Sequence, residues 1–231
     1  MLAEADAALA AVEIARSEPR GIVRLACPVA LAQNALAPLV PVFLARFPLV
    51  RLQLLVSNRR VDVIGEGIDA AIRVRAVPSG EDGLVMRSFG EQSELLVASP
   101  EWLDAQGRPS HPRELAHLPT LSFAPETERQ YWELTGREAE RVQIDLQPRL
   151  ICHDFAVLRA AALAQQGIAL LPESVVRADL DARRLECVLP DWRLPQGILH
   201  VVFASRRGLL PAVRACIDFL AEQLPRALRL A

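Results

Sequence analysis

One segment constrains the fold more than any other: Gly21 to Pro48, GIVRLACPVALAQNALAPLVPVFLARFP. Ile22 to Ala26 is a short apolar run with β-branched residues, bounded by Gly21 and Pro28, and it reads as a buried strand. From Leu31 the period changes. Leu31, Ala35, Leu39, Val42, Phe43 and Phe47 recur at helical spacing. Cys27-Pro28-Val29-Ala30 is then a tight strand-to-helix turn. Pro38 and Pro41 fall inside the helical pattern and should kink it or confine its regular part. The helix should stop before Pro48. A buried strand that feeds a helix N-terminus is a place to bind a small anion, because main-chain N–H groups without helical partners point outward there.

The segments that follow extend this unit. Val50, Leu52, Leu54 and Val56 alternate as in a strand, and Ser57 to Arg60 is a polar loop. Val61 to Glu66 predicts a short helix closed by Gly67, and Ala70 to Val74 a third strand. Strand, helix, strand, helix, strand implies parallel pairing through right-handed crossovers. A turn is expected from Pro78 to Gly83. Strands are expected at 84–89, 94–98, 120–123, 168–171, 184–189 and 199–204, with 141–151 extended and 109–119 irregular. Helices should start at Ser99-Pro100, at Asp154 as N-cap, at Pro172-Glu173 and at Pro211. Phe155 to Gln166 is almost wholly apolar or small, so that helix should be buried. At the other end, Met1 to Val12 reads as the tail of a longer helix, and Ser17 to Gly21 as a linker.

Bulk properties exclude several classes. The 231 residues suit one large domain or two small ones. With 26 basic and 28 acidic residues and a net charge of −2, the chain has no basic footprint for nucleic acid. Cys27, Cys152, Cys187 and Cys216 form no C-x-x-C pair, and their irregular gaps fit four reduced, mostly buried thiols. No apolar run is read as long enough to span a membrane, and no secretory signal is visible. A soluble cytoplasmic protein is the natural reading. No nucleophile elbow, phosphate loop, metal cluster or paired-carboxylate motif stands out, so neither catalysis nor a cofactor is expected.

Several runs together resemble the effector-binding part of LysR-type transcriptional regulators. They are 21–28 (GIVRLACP), 36–48 (LAPLVPVFLARFP), 62–73 (DVIGEGIDAAIR), 98–103 (ASPEWL), 167–172 (GIALLP), 189–192 (LPDW) and 205–207 (SRR), with Val213 and 217–220 (IDFL). Each is weak alone; their order and spacing over nearly the whole chain are specific. The resemblance implies an α/β fold of two Rossmann-like subdomains joined by two crossover strands, like type 2 periplasmic binding proteins. Subdomain I would comprise 21–92 plus 202–231 and subdomain II 93–201, with 1–20 as the end of a linker helix and linker. It also implies a small-molecule effector held between the subdomains, a homodimer or tetramer, and DNA contact only through a winged helix-turn-helix. That element is absent here, so the chain reads as a fragment deleted for DNA binding.

The resemblance also nominates site residues. Pro28, Val29, Ala30, Leu31 and Ala32 form the first group. Many relatives carry Ser or Thr where Ala30 stands, so the amides of Leu31, Ala32 and Gln33 lack an obvious side-chain cap and are open to water or to an anionic ligand. Arg59, or its neighbour Arg60, is either a carboxylate clamp or a solvated loop residue, and Ser57 a rim donor. Arg73 serves the pocket or an ion pair with Asp62 or Asp69. His153 and Asp154 precede the buried helix, with capping the stronger role for Asp154. Phe123 and Trp132 form an apolar wall or ordinary core, Trp132 alternatively an exposed helix position, and Phe203 lines the hinge. The resulting expectation is a metabolite sensor, more naturally for an organic anion. The alternatives are a solute-binding protein of a transporter, which would need a signal peptide, and an enzyme on a two-lobed scaffold.

Overall fold

A computed structural model describes residues 18–75, 83–123, 130–204 and 209–229. The expected helix at Met1 to Val12, most of the turn at 78–83 and the run 205–207 lie outside the described residues. The chain divides into two compact units, Met1–Glu91 with Ile198–Ala231, and Gln92–Gly197.

Unit 1 begins with β1 (Gly21–Cys27) and helix α1 (Val29–Arg46). β2 (Val50–Val56) and β3 (Ala70–Arg75) pair parallel to β1 on either side. β4 (Leu84–Gln92) leads out, and β12 (Gly197–Ala204) returns antiparallel to β3. The sheet order is β2-β1-β3-β12-β4, closed by helix α5 (Pro211–Leu228). The inner strands are buried on both faces, which is why they read as near-continuous apolar runs. Val23, Leu25, Ile72, Leu199 and Val201 pack against Leu36 and Phe43 of α1 and Phe219, Leu220 and Leu224 of α5. On the opposite face Ala26, Ala71 and Val202 pack against Val61 and Val63.

Helix α1 departs from the expected form in two ways. It is not broken at its prolines; Ala32–Leu36 widens into a π-helical turn instead, with the Ala37 N–H bonded to the Ala32 carbonyl. Pro38 has no N–H to give Asn34, and its ring would crowd that carbonyl in a regular helix, so the wider turn accommodates it. The helix is also long and apolar enough to cross a membrane, 18 residues at mean hydropathy 1.4, contrary to the expectation that no such run exists. Leu31, Ala35, Leu36 and Phe43 are nevertheless spent on the core of unit 1.

Unit 2 is an open sheet of order β11-β5-β10-β6-β9, with a separate β7-β8 hairpin. Its strands are β5 (Glu94–Ala98), β6 (Thr120–Ser122), β7 (Tyr131–Thr135), β8 (Arg141–Asp145), β9 (Leu150–Ile151), β10 (Ile168–Pro172) and β11 (Glu186–Cys187). β10 is antiparallel to β5 and parallel to β6. Its α-helices are α2 (Pro100–Gln106), α3 (Phe155–Leu163) and α4 (Glu173–Asp181). One face of the sheet packs on α2 and the hairpin through Leu96, Trp102, Leu103, Trp132, Leu134 and Ile144. The other packs on α3 and α4 through Val97, Leu121, Leu158, Ala162, Leu171 and Val176.

Ser99 caps α2 by accepting from the Trp102 N–H, and Asp154 caps α3 by accepting from the Ala156 N–H at 2.7 Å, both as the sequence indicates. Other expectations fail. Residues 61–66 are a turn rather than a helix. The Asp62 carboxylate caps this single turn by accepting from the Ile64 and Gly65 N–H groups, the Glu66 N–H donates to the Asp62 carbonyl, and Gly67 at φ +64° closes it after one turn. Residues 109–119 are not wholly irregular: Pro112–His117 is a 3-10 helix opened by a capping box of His111 and Glu114. The strand at 184–189 shrinks to Glu186–Cys187, because Arg184 and Leu185 give their N–H groups to the Asp179 carbonyl instead.

Candidate functional site

The β1–α1 turn is built from both its sides. Pro28 has ψ 147° and makes the entry to the helix extended. The Cys27 carbonyl is taken by the Ser57 N–H at 3.0 Å, which fastens the end of β1 to the end of β2. The Cys27 Sγ–H donates to the Pro28 carbonyl at 3.4 Å, and burial pushes this thiol well up, so it stays protonated. The helical ladder starts when the Ala32 N–H donates to the Pro28 carbonyl at 2.9 Å. Ala32 therefore drops out of the set of amides expected to lack a cap. The donors ahead of that bond belong to Val29, Ala30 and Leu31. The first has a cap that sequence reading missed: Asn58 Oδ1 accepts from the Val29 N–H at 3.0 Å. An Asn in the loop after β2 was the available signal, since Asn side chains commonly take up such amides.

Leu31 and Ala32 turn their side chains into the core, so only their main chain can face a ligand. Pro28, Val29 and Ala30 are half-buried. No hydroxyl stands at Ala30, and the turn offers amide hydrogens carrying the positive end of the helix dipole. Such a turn favours a group that only accepts hydrogen bonds.

The Ser57–Arg60 loop adjoins this turn. Ser57 Oγ accepts from the Arg59 N–H at 3.3 Å. The Arg59 guanidinium is not an open clamp. Its fork grips Glu66, with Nη1 to Oε1 at 2.6 Å and Nη2 to Oε2, and Glu66 Oε1 also accepts from the Asp62 N–H. The Arg59 hydrogen bond, joined by that of the Asp62 N–H, lowers the Glu66 carboxyl to about 2. Arg73 is buried on β3 and donates to the Val61 carbonyl at 3.0 Å, tying the 61–66 turn to the sheet. Asp69 accepts from the Arg24 N–H at 2.7 Å.

In unit 2, Phe123 stacks on Phe155 with centroids 4.1 Å apart and meets the edge of His153 at 6.0 Å. Asp154, next in line, is engaged as the cap of α3. Phe123, His153 and Phe155 thus form one aromatic cluster where β6 and α3 meet. Trp132 does not join it. It sits on a strand, 5% exposed, in the core on the hairpin side of the sheet. Phe203 lies on β12 within unit 1, packed in the core beneath α5. No group of three or more His, Cys, Asp or Glu among the described residues could hold a metal ion.

The family model for the LysR substrate binding domain matches residues 16–225. An HTH-type transcriptional regulator of Xanthomonas campestris pv. campestris is 32% identical over 96% of this chain, which spans 64% of that protein's length. PtxR, an HTH-type transcriptional regulator of Pseudomonas aeruginosa, is 28% identical over 98% of this chain and 72% of its own. Among solved structures, the full-length virulence activator AphB of Vibrio cholerae superposes with a TM-score of 0.80 at 26% identity, covering 96% of this chain and 76% of that one. CrgA of Neisseria meningitidis, a LysR-type transcriptional regulator, gives 0.78 at 25%, covering 96% and 74%. Sequence and fold agree, and the chain belongs to the LysR substrate-binding domain family, the effector-binding part of LysR-type transcriptional regulators.

Proposed function

We propose that this chain senses a small organic anion on behalf of a transcriptional regulator and does so without catalysis. The anionic group binds the main-chain donors of the β1–α1 turn in unit 1. The family resemblance adds Phe123 and His153 of unit 2 as further candidate effector contacts. The observation that carries this reading is the turn itself. Ala30 and Leu31 lie ahead of the first helical bond, and Ala30 has no side-chain hydroxyl to compete for a ligand. Recognition then rests on N–H donors, which suit a carboxylate better than an alcohol or amine.

The output is a shift between conformations, driven by the difference in effector affinity between them. It reaches DNA through the helix-turn-helix part of the whole regulator. Transport binding is the weaker reading, because the matching relatives are transcriptional regulators. Pairing of two copies is part of the proposal: Val42 and Leu44 on α1, with Leu49 and Val56 beside and on the edge strand β2, are exposed apolar residues.

A thermal-shift panel of organic acids tests the ligand class, each acid paired with its neutral ester. Bound ligand raises stability by mass action, about 2.7 kcal/mol at a hundredfold excess over Kd. At least one acid should raise the melting temperature while its ester leaves it unchanged. Equal stabilisation by acid and ester, or none across the panel, would sink the anion reading.

A further inference from the structure

We infer that the free edge of the unit 2 hairpin is a two-fold docking surface for a second copy of this chain, in which β8 pairs antiparallel with the partner's β8. The hydrogen-bond phase of the hairpin fixes what that edge offers. The Leu146 N–H donates to the Gln130 carbonyl at 2.8 Å, and the Gly136 N–H to the Glu140 carbonyl at 2.8 Å. These two pairs bracket the strands. Val142 and Ile144 therefore bond across to β7, and Arg141, Gln143 and Asp145 turn their main-chain groups outward. The far edge of β7 keeps the same phase, because Thr135 exchanges hydrogen bonds with Arg193 there. No strand among the described residues flanks β8 in this way. The main-chain groups of Arg141 and Gln143 have no hydrogen-bond partner among the described residues.

The sequence along this edge is complementary to itself. Arg141, Gln143 and Asp145 are exposed, with a cation and an anion equally spaced on either side of Gln143. Val142 and Ile144 alternate with them and are buried with Leu115, which holds the outward row in place. In an antiparallel pairing centred on Gln143, each Arg141 faces the partner's Asp145, and Gln143 faces the partner's Gln143. Every outward N–H and carbonyl of the row then meets a partner. Opposite charges face each other across the junction, which favours strand pairing. Asp145 also has a contact within its own chain, and a carboxylate has acceptor sites for both. Parallel pairing in register would set Arg141 against the partner's Arg141 instead. The bland alternative is that these charges only blunt an exposed edge. Charges of one sign would repel any copy, whereas this symmetric placement of opposite signs attracts one. Growth stops at two copies, since residue 193 already flanks β7, and the product is an isologous β7-β8-β8-β7 sheet. Strands of 5 residues make a small contact, of the weak and transient class. It lies apart from the pairing proposed for α1 and β2 and would join such pairs into larger assemblies.

The test is amide exchange with solvent, read by NMR on the 15N-labelled chain at about 20 µM and at about 1 mM. Arg141 and Gln143 should exchange about threefold or more slowly at the higher concentration. Val142 and Ile144, bonded to β7 in either state, should not change. Arg141→Asp, an exposed change that sets carboxylates face to face, should abolish the slowing at Gln143. Adding Asp145→Arg makes the facing charges opposite again and should bring the slowing back. Val42→Glu, aimed at the unit 1 contact, should leave it in place. The inference is overturned by exchange independent of concentration, by slowing that survives Arg141→Asp, by a double change that does not restore it, or by its loss in Val42→Glu. The unit 1 pairing is read separately, from the mass at micromolar concentration, and the anion reading of the β1–α1 turn is untouched by any of these results.

Discussion

Asp179 is a buried carboxylate of unit 2 held by two arginines. It is fully buried on α4. Arg159 of α3 and Arg184 beyond α4 both grip it, the latter through Nη2 at 2.7 Å and Nε at 3.0 Å. Burial alone would raise its pKa, but the two guanidiniums outweigh burial and hold it below the usual aspartate range. A depressed carboxyl contributes stability above its unfolded value of about 3.9, and that contribution is lost as the pH falls through the lower folded value. Asp179→Asn should therefore lower stability near neutral pH by about 2 kcal/mol, less than a fully buried pair because both arginines are partly solvated. Urea denaturation at pH 7 and in steps down to pH 3 checks this. The gap between the two proteins should be widest at neutral pH and narrow only below about pH 4. A gap independent of pH would show that the carboxylate charge is not what matters there.

At the scale of elements, the exit from α3 is the least forgiving. Gly167 has φ +140°, and a Cβ there would run into the Pro119 carbonyl, main chain that cannot swing aside. Gly167→Ala should cost about 2–3 kcal/mol, read as a lower urea midpoint with an unchanged m-value. Elements whose cause is local were legible in the sequence. The switch of period at Leu31 marked β1 and α1, and Ser99, Asp154 and Pro211 marked three helix starts. What escaped was set by contacts distant along the chain or by side chains that bond the backbone. Residues 61–66 stop at one turn, with Asp62 capping its start, Gly67 at φ +64° reversing the chain, and Glu66 drawn to Arg59. The candidate site divides in the same way. The β1–α1 turn could be nominated from the strand-to-helix pattern, and Phe123 and His153 separately from the family resemblance; that these two rings meet is a fact of folding. That Asn58 caps Val29 and that Glu66 occupies Arg59 are facts of folding, set by residues 29 and seven positions apart. Of the roles open to Trp132, ordinary core is the one it takes, as aromatics more often do.

For the whole molecule, the exposed apolar residues of α1 and β2 carry a prediction about assembly. Light scattering at micromolar concentration should return about twice the 25.4 kDa of one chain. Val42→Glu, at a position 53% exposed, should return a single chain mass with the melting temperature of the fold retained. A single chain mass for the unchanged protein would remove the pairing proposal.

The order of strands in unit 1 carries a consequence for how the protein is made. β12 lies between β3 and β4 in the finished sheet, yet it is synthesised after all of unit 2. As the chain leaves the ribosome, β1, β2, β3 and β4 emerge with the slot for β12 unfilled and without α5 to cover Val23, Leu25 and Phe43. Unit 2 has no such dependence, since its strands and helices all fall between Gln92 and Gly197. It can reach its native state on the nascent chain while the earlier-made half of unit 1 waits. The first unit to begin is thus the last to finish, and a nascent chain stalled before Ile198 would display a folded unit 2 beside an apolar, chaperone-dependent half-sheet.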